Sequence, residues 1–562
     1  MDLNRTSYQF HQNLESPFVF FRRQWKAILF FGGGFSLVTT AVVLLVDPAF
    51  FYPRLQTDPL NYYLKAKLLV ETGSTDAAWA VNLRPFSYVS MPGILRAPFI
   101  AAFADFDDQL RAIQIANIGI LGAVALMSAY IFSWALPFAR QWMAIAFAFI
   151  FTALSPVWMA NLILPLADAP YAAFTLAAVL VGIELLCSPR RLVQRPLLLA
   201  LLVLLFVVSF LLRFTAPVLF ALLAPLALAR WRHDTQSTRT KVLVALLVGV
   251  LVTLLVVLNL DAIQGRYLRE PLFFVRRGEK LGMLINLFGA GFPTQIIPTF
   301  QLGFVHPPII DYTRTSFLLD ARDAAWAGFG LVIGGVIIAG MWFSRVRFLP
   351  EILYLVAALP VIGLMMPSTT RYLMSYQPLF WIFFYVGAAV LARRHAQWII
   401  KLAHSKFAVA GLVFAVATVV IGLRAWKVAG SASERQLAVP VDRVPKYVTE
   451  VSDTFRSLRR FLETLPRETS LIVASRGAEG RWKAISDLDY YRPDSALSRA
   501  VASKEVYLLI ECGTQDACER WDPWKQRTQA RVARFGKYEY DSVFSVRSGR
   551  ARAEVLRMRT AD

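Results

Sequence analysis

The side chains best suited to chemistry fall in a few short stretches. The richest reads Gln56-Thr57-Asp58-Pro59-Leu60-Asn61-Tyr62-Tyr63-Leu64-Lys65-Ala66-Lys67-Leu68-Leu69-Val70-Glu71-Thr72-Gly73 and combines two carboxylates, two phenols and two amines. Leu83-Arg84-Pro85-Phe86-Ser87-Tyr88 and Met91-Pro92-Gly93-Ile94-Leu95 follow, and Asp108-Gln109-Leu110-Arg111 ends the region. Later come Leu166-Ala167-Asp168-Ala169-Pro170, Leu212-Arg213-Phe214-Thr215 and Thr370-Arg371-Tyr372-Leu373. A carboxylate within hydrogen-bond reach of an alcohol can take its proton as a new bond forms. An arginine can clamp a phosphate through two parallel hydrogen bonds. His306, in Val305-His306-Pro307-Pro308, has no second histidine or cysteine at metal-ligand spacing. The sequence carries no zinc motif and no glycine-rich phosphate loop, and it leaves dependence on a divalent metal open.

These stretches must be held by elements of an unusual chain. It is 57% hydrophobic and only 17% charged, against about 25% charged residues in an ordinary soluble domain. Apolar blocks recur near 27–46, 111–134, 142–157, 168–187, 197–212, 214–229, 242–259, 324–343, 350–366, 378–392 and 407–423. That gives about eleven helical membrane spans, several of them short enough to be tilted or re-entrant. A lone soluble enzyme, a disordered chain and a disulfide-rich secreted module are excluded. The net charge of +21 reads as membrane orientation, not nucleic-acid binding, because no basic stripe interleaves with stacking aromatics.

Basic clusters fix the direction of the spans. Residues 1–26 end in Phe21-Arg22-Arg23-Gln24-Trp25-Lys26 and read as a cytoplasmic anchor, without the cleavage site of a removed signal. With that end inside, Arg140, the arginines of 190–195, the basic run 230–241, Arg345 and Arg347, and Arg393 and Arg394 are all cytoplasmic. Loops 47–110 and 260–323, and the tail from 424, then lie outside. The span interiors are almost purely apolar, so the polar inventory gathers at the outer boundary, unlike a transport pathway lined in mid-membrane.

Within 27–423, Asp58-Pro59 suits the first turn of a helix that runs to Glu71 and is capped by Gly73. The tail 424–562 reads as a small soluble α/β domain. Val448, Val451, Phe455, Leu458, Phe461, Leu462 and Leu465 have helical spacing. Leu471–Val473 and Val506–Ile510 read as buried strands, and Tyr538–Val546 as a hairpin arm. Cys512 and Cys518 flank a short polar loop in this tail, and an exterior location permits a disulfide between them, with free thiols as the alternative.

The order of these features resembles bacterial GT-C-fold glycosyltransferases, the superfamily of protein O-mannosyltransferases and the lipid A aminoarabinose transferase. The shared sequence is a span, an Asp-led helix with tyrosines, an Arg-Pro…Tyr…Pro-Gly stretch and a span opening Arg111-Ala112-Ile113-Gln114. Ser155-Pro156, Asp168, Arg213, Arg371-Tyr372 and the soluble outer tail continue the pattern along essentially the whole chain. The resemblance implies a multi-pass protein of a bacterial inner (plasma) membrane with its site facing the periplasm. The implied reaction moves a sugar from a polyprenyl-phosphate carrier to a lipid, glycan or protein acceptor, with inversion.

Carried onto this chain, the general base is Asp58. The developing phosphate charge falls to Arg84, Arg371, Lys65 and Arg213. Tyr62, Tyr88, Asp168, Tyr372 and His306 are candidate substrate contacts. Many relatives have two adjacent acids where this chain has Asp58-Pro59; Asp76, Asp105, Asp107 and Asp108 are the candidates for the missing one. Structural duties are also open to these residues: helix initiation for Asp58 and capping for Asp168, and headgroup contact for Arg84 and for Arg371-Tyr372. Tyr62 and Tyr63 also suit an interfacial position. Three rival functions remain, one of them a non-catalytic membrane scaffold whose tail binds a partner. A ligase or polymerase acting on a diphosphate-linked oligosaccharide would rely on His306 and Arg314. A transporter or flippase would move substrate without sugar transfer.

Overall fold

The computed structural model describes residues 10–11, 14–54, 57–73, 91–154, 158, 161–162, 164–187, 196–213, 216–233, 321–365, 375–394, 444–466, 470–474, 482, 485, 489–491, 497, 501, 505–512, 521–548 and 551–560. The chain opens with a short helix, α1 (Pro17–Arg23), whose N-terminus is capped by the Ser16 hydroxyl accepting from the Val19 amide. Next comes α2 (Trp25–Leu45), then α3 (Thr57–Thr72), α4 (Met91–Ile94), α5 (Ala97–Ala102) and α6 (Phe106–Ser133). The helices continue as α7 (Trp142–Leu154), α8 (Asp168–Cys187), α9 (Pro196–Leu212), α10 (Phe220–His233), α11 (Ala321–Phe343), α12 (Leu349–Met365) and α13 (Gln377–Arg394).

Among the described residues, α2, α6 and α8 are long and apolar enough to cross a membrane. Shorter apolar helices occupy the other described span positions. The expected spans 242–259 and 407–423 lie outside the described residues. Helix α6 begins five residues before the expected start at Arg111. Its cap is the reason: the Asp105 carboxylate accepts from the Asp107 amide at 2.8 Å, and a helical first turn then carries Asp107 and Asp108.

The bundle core joins Phe35, Leu121, Val124, Phe149, Phe380 and Phe383, among others. Between α11 and α13 the backbones touch: a methyl on Gly340 would strike the Phe383 carbonyl, and one on Gly387 the Val336 carbonyl. In a bilayer, where lipid tails are as apolar as leucine, such close backbone packing holds helices together. One end of the bundle collects basic residues. Arg23 pairs with Glu15 at 2.5 Å and lies over the Phe138 ring, while Arg347 donates to the Trp134 carbonyl at 2.8 Å and covers Phe10. His11 and Glu351 are fully buried there, 2.5 Å apart. This is the end expected to face the cytoplasm.

The tail begins with α14 (Val444–Glu463), followed by β1 (Ser470–Ala474), β2 (Asp489–Tyr491), β3 (Glu505–Cys512), α15 (Trp521–Val532), β4 (Tyr538–Ser548) and β5 (Ala551–Thr560). The sheet order is β2-β1-β3-β5-β4, parallel across β2-β1-β3 and antiparallel from β3 onwards. Within β3, Val506–Ile510 is an unbroken apolar run because both faces of the strand are covered. Ile472, Leu509 and Val555 face α14, whereas Val473, Leu508 and Leu556 face Trp521 and Val532 of α15. The α14 side does more than close the sheet. Its core is continuous with Tyr52, Leu60, Tyr63, Phe106 and Leu110, so the tail shares a hydrophobic core with the first loop.

Candidate active site

Helix α3 is the element on which the candidate chemistry stands. It runs from Thr57 to Thr72, and Gly73 ends it with φ +68°, its amide bonded to the Leu69 carbonyl at 2.9 Å. That left-handed residue is the expected glycine stop. Leu60, Tyr63 and Leu64 turn into the core. Tyr63, a candidate interfacial aromatic by sequence, is instead buried: its ring meets Phe106 at 5.0 Å and its hydroxyl donates to Gln109. Gln109 in turn donates to the Phe103 carbonyl at 2.7 Å, tying α3 to the start of α6. Asp58 stands in the first turn of α3, four and seven positions before Tyr62 and Lys65, the spacing of one helical stripe. The Asp58 side chain lies outside the described residues. Lys65 is buried.

Beside α3 sits a charged group assembled from three other segments. Arg96 follows the Pro92-Gly93 turn and is buried; it donates to the carbonyls of Pro92, at 2.7 Å, and Leu166. Burial pushes its guanidinium down to about 10, against the pull of Tyr62 and Asp168, so it stays cationic at neutral pH. Asp168 opens α8 and is salt-linked to Arg213 at the end of α9, both nearly excluded from solvent. Asn161 satisfies one amide at the start of α8: its side-chain oxygen accepts from the Ala169 N–H at 3.0 Å. The Asp168 carboxylate meets Arg213. Tyr171, Val208, Leu212 and Ala216 pack against Met91 and Leu95 beneath these charges, fixing the ends of α8 and α9 on the α4 turn.

The structure therefore brings Tyr62, Asp168 and Arg213 into one neighbourhood and adds Arg96 and Asn161, which the sequence reading did not select. Arg96 directly follows the Met91-Pro92-Gly93-Ile94-Leu95 stretch, and an arginine at that position was the available signal. Arg84, Tyr88, Arg371, Tyr372, His306 and Cys518 lie outside the described residues, as does Asp76. Cys512 is disulfide-bonded. Among the described residues, no three His, Cys, Asp or Glu side chains gather into a metal-ligand set.

Two candidates for a second acid are committed elsewhere. Arg459 of α14 binds Asp105 at 2.6 Å and Asp107 at 3.3 Å. Desolvation raises the Asp105 carboxyl, but Arg459 and the Asp107 and Asp108 amides outweigh it and hold it below its ordinary value. Asp107 is less exposed than Asp105 and also accepts from the Tyr52 hydroxyl at 2.5 Å.

No family model matches the chain, and no curated protein matches it. Several solved structures are similar along nearly its whole length. The crystal structure of ArnT from Cupriavidus metallidurans in the apo state has 13% identity and a TM-score of 0.47, covering 93% of this chain and 98% of that one. The same protein bound to undecaprenyl phosphate gives a TM-score of 0.44 at 13% identity over the same shares. The archaeal oligosaccharyltransferase AglB from Archaeoglobus fulgidus, in complex with an inhibitory peptide and a dolichol-phosphate, has 12% identity and a TM-score of 0.44. It covers 92% of this chain and 73% of that one. Likenesses this distant assign no role to any residue.

Proposed function

We propose that this chain is a membrane glycosyltransferase that moves a sugar from a polyprenyl-phosphate carrier to a hydroxyl on an acceptor at the outer face of the bacterial inner membrane. The observation that carries the reading is the buried charge beside α3. Among the described residues, two buried guanidinium groups, Arg96 and Arg213, gather there with Asp168. A set of cations held under low-dielectric surroundings is preorganised for an anion that grows during reaction.

In this reading Asp58 takes the acceptor hydroxyl proton while the acceptor oxygen attacks the anomeric carbon. The bond from that carbon to the phosphate oxygen breaks, and the carrier phosphate leaves with the electron pair. A single displacement of this kind inverts the anomeric centre. Arg96, Arg213 and Lys65 belong to the phosphate side, together with Arg84 and Arg371. Tyr62, Tyr88, Tyr372, Asp168 and His306 are the polar groups available to the sugar and acceptor. The acceptor class, whether lipid, glycan or protein, stays open in this reading, as does a divalent metal.

The test is comparative mass spectrometry of envelope glycolipids and glycoproteins from cells with the gene, without it, and with Asp58→Asn. The expected result is one glycan missing from both altered strains while the Asn variant still inserts in the membrane. An unchanged glycan profile without the gene overturns sugar transfer altogether. Normal transfer by Asp58→Asn, with loss in His306→Ala, would turn the assignment to a diphosphate-linked oligosaccharide donor.

A further inference from the structure

The tail is joined to the first loop by a charged clasp set over a shared aromatic core. Arg459 makes four contacts at once. Its Nη2 meets Asp105 at 2.6 Å, its Nη1 donates to the Tyr52 hydroxyl at 3.0 Å and approaches Asp107 at 3.3 Å, and its Nε meets Glu463 at 2.8 Å. Tyr52 also donates to Asp107 at 2.5 Å, and Arg456, one turn earlier on α14, pairs with Asp47. Beneath this layer the Tyr52 ring meets Phe106 at 5.5 Å and Trp482 at 6.2 Å. Trp482 stacks on Phe455 of α14, and its indole N–H donates to Glu511 at 2.6 Å. Phe106 carries the contact onward to Tyr63 of α3.

We propose that the tail is the clamp that sets the position of α3, and that Arg459, acting through Asp105, Asp107 and Tyr52, is a positioning residue for the reaction at Asp58. The proposal rests on the sugar-transfer reading for its catalytic consequence, but the clamp itself is a claim about α3. Apolar contact across the shared core supplies attachment without direction. The planar guanidinium, held by three oxygens of the first loop, fixes register as well, since each bond demands its own angle. Asp105 is also the cap of α6, so Arg459 acts on the helix end against which Tyr63 and Gln109 hold α3. Small displacements of a reacting group have large consequences: about 1 Å of misplacement costs about 100-fold in rate.

The experiment uses the full chain in lipid nanodiscs, with Arg459→Ala, Arg459→Lys and Asp105→Asn beside wild type. Two measurements are made on each: amide exchange of residues 57–72 with 142–154 as internal reference, and steady-state sugar transfer. Arg459→Ala is expected to speed exchange at 57–72 while 142–154 is unchanged. It lowers kcat by about 10- to 100-fold with little change in KM for the donor. Lysine, which keeps the charge without the fork, recovers part of the loss, and Asp105→Asn gives a smaller effect in the same direction. Unchanged exchange at 57–72 in Arg459→Ala overturns the clamp, as does equal loosening of 142–154. Faster exchange with an unchanged kcat overturns the positioning role. A wild-type chain that transfers no sugar sinks the functional reading instead, and the exchange data still decide the clamp.

Discussion

Replacing Arg213 with methionine removes the guanidinium from Asp168 while keeping an unbranched side chain of similar reach. Asp168 is 2% exposed and Arg213 8%, so neither charge has bulk water to fall back on. Truncating one partner of such a buried pair costs about 3–5 kcal/mol, because the other charge stays behind in low dielectric. At about 1.4 kcal/mol per tenfold, that is a shift of roughly two to three and a half powers of ten in the folding equilibrium. Asp168→Leu should cost a similar amount, since it leaves Arg213 buried close to a site that already holds Arg96. Replacing both, as Asp168→Leu with Arg213→Met, restores apolar complementarity and should lie within about 1 kcal/mol of wild type or exceed it. Equilibrium unfolding in mixed dodecyl maltoside and SDS micelles, followed by tryptophan fluorescence, gives the four corners of the cycle. The double variant then separates folding from chemistry: it is expected to be stable yet deficient in sugar transfer, because a phosphate-side cation is gone. Single variants that cost less than about 1 kcal/mol, or a double variant that costs the sum of the two, would refute the reasoning.

Three further outcomes are expected. Gly340→Ala and Gly387→Ala each force a methyl into a facing carbonyl across the α11–α13 contact; both should lose at least about 2 kcal/mol in the same unfolding assay, whereas Gly122→Ala, which meets nothing within 4 Å, should not. Peptide mapping without reduction should find Cys512 linked to Cys518, and a link to Cys187 would contradict an exterior tail loop. The clasp should also respond to acid. Asp105 titrates below its ordinary 3.8 in the folded chain, so the unfolded chain binds more protons in that window. Its contribution is complete above about pH 3.8 and is lost as pH falls through the depressed value. The stability of Asp105→Asn should therefore fall less steeply below pH 3.8 than that of wild type, measured as unfolding midpoint against pH.

What sequence alone determined are the features whose physics is local. Long apolar runs set α2, α6 and α8 as helices long and apolar enough to cross a membrane, because that property needs only length and hydropathy. Asp58-Pro59 and Gly73 marked the start and stop of α3, since proline suits a first turn and glycine tolerates positive φ. Short apolar runs likewise announced β1 and β3, strict alternation β4, and helical spacing of apolar residues α14.

Only the tertiary structure decided who answers whom. Arg213 meets Asp168 across 45 residues, and Arg459 meets Asp105 across 354. Asn161, ahead of the helix start in sequence, accepts from the Ala169 amide of α8, and Tyr63 went into the core while its neighbour Tyr62 stayed beside Arg96. The reason is that a charge or phenol carries no record of its partner in the residues next to it. Its role is set by whichever opposite charge or buried surface the fold brings within a few ångströms, and that choice belongs to the packing of distant helices.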